Sequence, residues 1–136
     1  MALIDRTTAE WIDLPARVLV SLLFLVSAWT KLAETHLLQG YMHAYGVPVV
    51  LVWPAAAWEV VAGTLFLVGY GIRPVSVLLA GWCMLTAAIF HTAFSDLDAL
   101  MNFFKNCTMA GAFLLIARTH PSAFSVDGYL ARRTAR

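Results

Sequence analysis

The stretch PVSVLLAGWCMLTAAIFHTAFS, Pro74 to Ser95, contains no Asp, Glu, Lys or Arg. An α-helix of about 20 apolar residues crosses a hydrocarbon core roughly 30 Å thick, so this run alone can span a bilayer. Working outward, residues 47–70 hold a single charged side chain, Glu59, and residues 99–117 hold only Lys105. Toward the N-terminus the uninterrupted run 18–30 is too short to cross. It becomes a span over about 14–33 if Arg17 and Lys31 snorkel toward opposite surfaces. A cleaved signal peptide fits this region poorly, because Asp5, Glu10 and Asp13 crowd the part that should be positive.

Composition agrees. Of the 136 residues 61% are hydrophobic and 12% charged, and the mean hydropathy is +0.77. Soluble domains carry about a quarter charged residues, and a small domain has a large relative surface to cover. A free soluble monomer and a disordered chain are both excluded. A net charge of +1 offers no concentrated basic surface for nucleic acid. Cys83 and Cys107 make no CxxC or Cys/His pattern, so no metal site is expected.

The expected fold is an all-α integral membrane protein. It is an up-down bundle of four transmembrane helices, with a short interfacial helix between the first two spans. It forms one domain over residues 1–136, with spans near 14–33, 48–70, 74–95 and 99–118. The punctuation fits: Gly46-Val-Pro48 ends the long first connection, Gly69-Tyr-Gly71-Ile-Arg73-Pro74 turns tightly, and Ser95-Asp96-Leu-Asp98 supplies capping residues. In the first connection His36, Leu37, Leu38, Tyr41, Met42 and Tyr45 recur at helical spacing, with tyrosines suited to an interface. The tail, residues 119–136, reads as an amphipathic stub on an anionic leaflet. Arg6, Arg17, Arg73, Arg118, Arg132, Arg133 and Arg136 fall on the side of both termini, which the positive-inside rule makes cytoplasmic.

Depth is informative. At 1.5 Å per residue, Lys31 lies about 21 Å above Arg17, and Glu59 about 21 Å and His91 about 27 Å above Arg73; Lys105 lies about 20 Å above Arg118. The ionisable groups of all four spans thus converge on one layer in the outer half of the membrane. A charge at mid-bilayer costs about 2.5–3.5 kcal/mol, which favours pairing Glu59 with Lys31 or Lys105. Glu59 is the candidate for proton exchange, and Lys31, His91, Lys105 and Asn106 are candidate ligand-binding residues. A buried ion pair that only fixes helix register is the plain alternative. Ala55, Glu59 and Gly63 share a helix face, and the small residues allow close approach of another helix. Cys83 and Cys107 lie at similar depths, about 15 and 16 Å on the same count. A bridge between them is open, although small apolar filler is the commoner use.

The chain resembles the DoxX family of bacterial inner-membrane proteins from about Arg17 to Tyr129. The resemblance rests on Phe24-Leu-Val-Ser27-Ala-Trp-Thr-Lys31-Leu32, Gly46-Val-Pro48, and Glu59-Val-Val-Ala-Gly63 with Gly69 and Arg73. It continues through Phe90-His91, Phe103-Phe-Lys105-Asn106 and Ala110-Gly111-Ala112-Phe-Leu-Leu115. Ala28, Ala62 and Ala112 stand where the family usually has glycine. The resemblance implies a four-span inner-membrane bundle. The family takes its name from a subunit of a thiosulfate:quinone oxidoreductase, and other members are associated with redox and oxidative-stress partners.

Three readings of the polar layer follow. In the first, a redox-linked membrane subunit binds a quinone or small sulfur compound there. Lys31, Lys105 and His91 donate hydrogen bonds, and Glu59 exchanges a proton. With no intrinsic cofactor expected, electrons pass through the bound quinone or a membrane or peripheral redox partner. In the second, a homodimer exports a small molecule against protons through Glu59. In the third, the chain is a non-catalytic scaffold that assembles a partner.

Overall fold

The computed structural model describes residues 6–118, 122 and 124–134. Asp5 and Arg136, which entered the charge reading, lie outside them, as do the side chains of Arg6 and Glu10. The helices are α1 (Arg6–Ala33), α2 (Thr35–Ala44), α3 (Val52–Val68), α4 (Ile72–Phe90), α5 (Leu97–Ala117) and α6 (Val126–Thr134), with a 3-10 turn, Val49–Leu51, before α3. Among the described residues four helical segments are long and apolar enough to cross a membrane: Trp11–Ala33, Val49–Val68, Ile72–Phe90 and Leu97–Ala117. The chain divides into two compact units, one of residues 1–72 and 120–136, the other of residues 73–119.

In the first unit α1 lies along α3. The buried positions Arg17, Ser21, Phe24 and Ala28 recur at helical spacing on α1, and Val52, Ala56, Glu59, Ala62, Gly63 and Phe66 do so on α3. Gly63 lies close against α1: a Cβ there would stand 3.3 Å from Phe24 Cβ and 3.4 Å from Leu25 Cδ2. This is the close packing that small residues permit between membrane helices. The short helix expected in the first connection is α2, whose Tyr41 and Tyr45 rings lie 4.9 Å apart, tilted by 52° to each other. Burial and the hydrogen bond with Tyr45 push the Tyr41 phenol up to about 12.

Arg17 departs from expectation. It does not snorkel; it is only 1% exposed. Its Nε donates to Asp13 Oδ2 at 2.8 Å, and its two terminal nitrogens donate to the carbonyls of Leu67 and Phe124, each at 2.7 Å. The physical reason lies at the end of α3, where helical carbonyls lack intrahelical partners and the dipole is negative. A guanidinium placed there is better satisfied than one reaching for water. Asp13 is held in turn, with the Ser122 hydroxyl donating to Oδ2 at 2.6 Å. α1 itself starts well before residue 14, at Arg6.

The same end is closed by the chain's return. Gly69 (φ +71°) ends α3, with its own N–H donating to Phe66 and that of Tyr70 to Leu65, a left-handed cap. The Asp127 carboxylate accepts from the amides of Gly71 and Ile72, both at 2.9 Å, and the Asp127 amide donates to the Gly69 carbonyl at 3.0 Å. Ser125 starts α6 by accepting from the Gly128 amide at 3.0 Å. The first turn of the tail helix is therefore docked on the end of α3.

The second unit holds α4 and α5. The helix of the third span ends at Phe90 rather than near 95. Residues 91–96 turn instead, and Asp96, in extended conformation, caps α5 by accepting from the Asp98 amide at 3.1 Å. Phe94 from the turn meets Phe103 of α5 edge-on, with centroids 5.1 Å apart.

Candidate functional site

Lys31 stands in the last turn of α1, and Glu59 near the middle of α3. Their helices bring the Lys31 ammonium onto both carboxylate oxygens, 3.0 Å from Oε1 and 2.8 Å from Oε2. The ammonium also donates to the Ser27 hydroxyl one turn back on α1, at 2.7 Å. An ammonium carries three N–H donors, and these three acceptors use them all. The side chains differ in access: Lys31 is 18% exposed and Glu59 only 5%. The carboxylate is thus fixed and covered, whereas the ammonium can be approached. Of its three acceptors only Ser27 is uncharged, so Ser27 is the partner most easily replaced by an incoming oxygen.

His91, Lys105 and Asn106 belong to the second unit. Lys105 is exposed on α5 and donates to Asn102 Oδ1 at 3.2 Å. Asn106 is half-buried, its Nδ2 donating to the Asn102 carbonyl at 2.9 Å. The Thr86 hydroxyl, directed at the carbonyls of Trp82 and Cys83, comes within 3.5 Å of Asn106 Oδ1, too far for a strong bond. His91 follows the last residue of α4, and its amide donates to the Ala87 carbonyl at 3.0 Å. Burial lowers the His91 imidazole below its ordinary value; a backbone hydrogen bond at Phe90 opposes this, and the nearby Lys105 charge adds to it. Cys83 and Cys107 are not joined in a disulfide. No cluster of His, Cys, Asp or Glu fit to hold a metal ion occurs among the described residues.

The DoxX family model matches residues 12–92, which include α1 from Ile12, α3, α4 and both members of the ion pair. The chain belongs to the DoxX family. Two relatives from Escherichia coli (strain K12) extend the likeness beyond that match. The chain is 36% identical over 120 residues to Inner membrane protein YqjF, covering 88% of this chain and 92% of the relative. It is 35% identical over 119 residues to Inner membrane protein YphA, covering 82% and 85%. No solved structure matches the chain. This DoxX-family membrane protein therefore has its Lys31–Glu59 pair inside the family's matched region, whereas Lys105 and Asn106 fall outside it.

Sequence reasoning named both members of the pair but not the third. Ser27 precedes Lys31 by one helical turn, the spacing at which side chains on a helix meet, so that signal was present. Asn102, one turn before Asn106 and the acceptor for Lys105, carried the same signal. Arg17 carried it only for Asp13, four positions before it; its other two acceptors are backbone carbonyls 50 and 107 positions away.

Proposed function

We propose that this protein is a redox-linked subunit of the bacterial inner membrane that binds the oxygen-bearing head of a quinone or small sulfur compound at Lys31. The supporting observation is the asymmetry of the pair: a covered carboxylate holds an ammonium that remains partly accessible. The residues fit a carbonyl oxygen, which would take the donor now directed at Ser27 and leave the bonds to Glu59 intact. Lys31 and Glu59 cancel in charge, so a neutral quinone carbonyl enters without placing net charge in an apolar span. A small sulfur oxyanion would add one, which makes the quinone the better fit of the two. A bound quinone supplies reversible two-electron chemistry. The protein's part is to hold its oxygen at Lys31 and to keep Glu59 as a fixed counter-charge, a carboxylate able to accept a proton. The names of both relatives and the excess of arginine on the side of the termini support the inner membrane with both termini cytoplasmic.

The test is a titration of the detergent-solubilised protein with a short-chain benzoquinone, followed by tryptophan fluorescence. Trp58 adjoins Glu59, and Trp29 lies near Lys31 in the sequence. Saturable quenching is expected, weakened at least about tenfold, roughly one hydrogen bond to a charged donor, when Lys31→Met is combined with Glu59→Leu. Equal quenching in that folded double variant would leave the pair as a register lock between α1 and α3. Lys105→Met and Asn106→Ala test the second unit's donors separately.

A further inference from the structure

The start of α6 is docked, and its far half is exposed. Asp127, the only acidic residue of α6, is committed to the amides of Gly71 and Ile72. Every residue from Tyr129 to Thr134 is exposed, and residues 128–134 contain no Asp or Glu. What they contain is Arg132 and Arg133, with the Arg133 guanidinium 5.0 Å above the Tyr129 ring. Beside the docking point the exposed Trp11 ring lies 4.9 Å from that of Phe124.

Position gives this surface its meaning. Arg17 ties the Phe124 carbonyl to α1 and to the end of α3, both of which belong to membrane-spanning segments. The exposed half of α6 therefore starts at the mouth of two spans and is held there by hydrogen bonds. Aromatic residues with an apolar body and a polar edge collect at the headgroup level of a bilayer. Arginines on the cytoplasmic side meet the anionic phosphates found there. We propose that α6 is an anchored foot that binds anionic phospholipid headgroups, with Arg132 and Arg133 on the phosphate and Trp11, Phe124 and Tyr129 among the glycerol and upper acyl groups. The occupant is the acidic lipid of the leaflet next to the termini. Charge complementarity and continuity with the spans argue for it.

The test uses the full chain in neutral detergent micelles, titrated with dioleoylphosphatidylglycerol or dioleoylphosphatidylcholine and read by native mass spectrometry of lipid adducts. Phosphatidylglycerol is expected to bind at least tenfold more tightly than phosphatidylcholine. In the paired variant Arg132→Gln, Arg133→Gln this preference should be lost, since each arginine is worth about fivefold. The paired variant Arg132→Lys, Arg133→Lys should keep most of it. Both pairs are exposed, and an unchanged melting temperature shows that the variants are folded. No preference for phosphatidylglycerol, or a preference that survives the glutamine pair, would overturn the proposal. Displacement of the lipid by 10 mM inorganic phosphate would overturn it too, since the surface would then recognise a free anion rather than a lipid in a leaflet.

Discussion

Lys31 and Glu59 illustrate how differently two charges in one ion pair behave when each is removed alone. Lys31→Met leaves Glu59 buried without its counter-charge, which typically costs about 3–5 kcal/mol. Combining it with Glu59→Leu removes the buried charge as well and returns stability to within about 1 kcal/mol of the parent, or above it. Thermal unfolding in detergent, read by circular dichroism, should show this order. A single variant as stable as the double would contradict the pairing. His91 supplies a second check at this scale. Its imidazole is lowered from 6.5, chiefly by burial, with Lys105 contributing. The folded state thus favours the neutral ring, so as pH falls through 6.5 the unfolded chain takes up the proton first and stability from this group declines. Lys105→Met should move the His91 titration upward in an NMR pH series, and an unmoved titration would separate the two residues. Glu59 was legible in the sequence because a carboxylate is conspicuous in an apolar run. The choice of Lys31 over Lys105 was not, since it depends on the register set where Gly63 meets Phe24.

Elements carry the next level of the account. The gaps between charges disclosed the spans, because the cost of a charge in hydrocarbon empties such segments. Their exact ends were less legible. Nothing in residues 90–95 breaks a helix outright, and the turn there follows from Asp96 capping α5. The end of α3 was the least legible of all. Gly69 signals a turn, but nothing in the sequence shows that Arg17 and Ser125 close over it. A Cβ on Gly69 would lie 2.6 Å from an Arg17 nitrogen and 2.5 Å from Ser125 Cβ, in a backbone conformation that L residues avoid. Gly69→Ala should therefore cost more than the roughly 1 kcal/mol of the left-handed conformation alone, as it displaces the Arg17 network too. Asp127→Ala, which strips two amides of their acceptor, should cost about 0.5–2 kcal/mol. Limited proteolysis should then cut near Phe124 faster than in the parent. Unaltered cleavage would mean that Asp127 does not hold α6 in place.

For the molecule as a whole, an apolar composition and a few buried charges divide the work between them. The apolar helices place the chain in a bilayer, and the ion pairs Asp13–Arg17 and Lys31–Glu59 both lie in the first unit, on the first and last parts of α1. The pair at Arg17 ties the returning C-terminal segment to the spans. The pair at Lys31 holds a cation between α1 and α3 with its donors on Ser27 and Glu59. Reporter fusions at both termini should show cytoplasmic activity, and an external signal at either would overturn the orientation. The most direct measurement is an experimental structure of the protein purified with its native lipids, at a resolution that shows bound molecules beside α1 and α3. A quinone-like or similarly oxygenated head within hydrogen-bonding distance of Lys31 Nζ, with Glu59 still paired behind it, is the predicted result. Acyl chains packed across a Lys31 that keeps Ser27 as its third acceptor would contradict it.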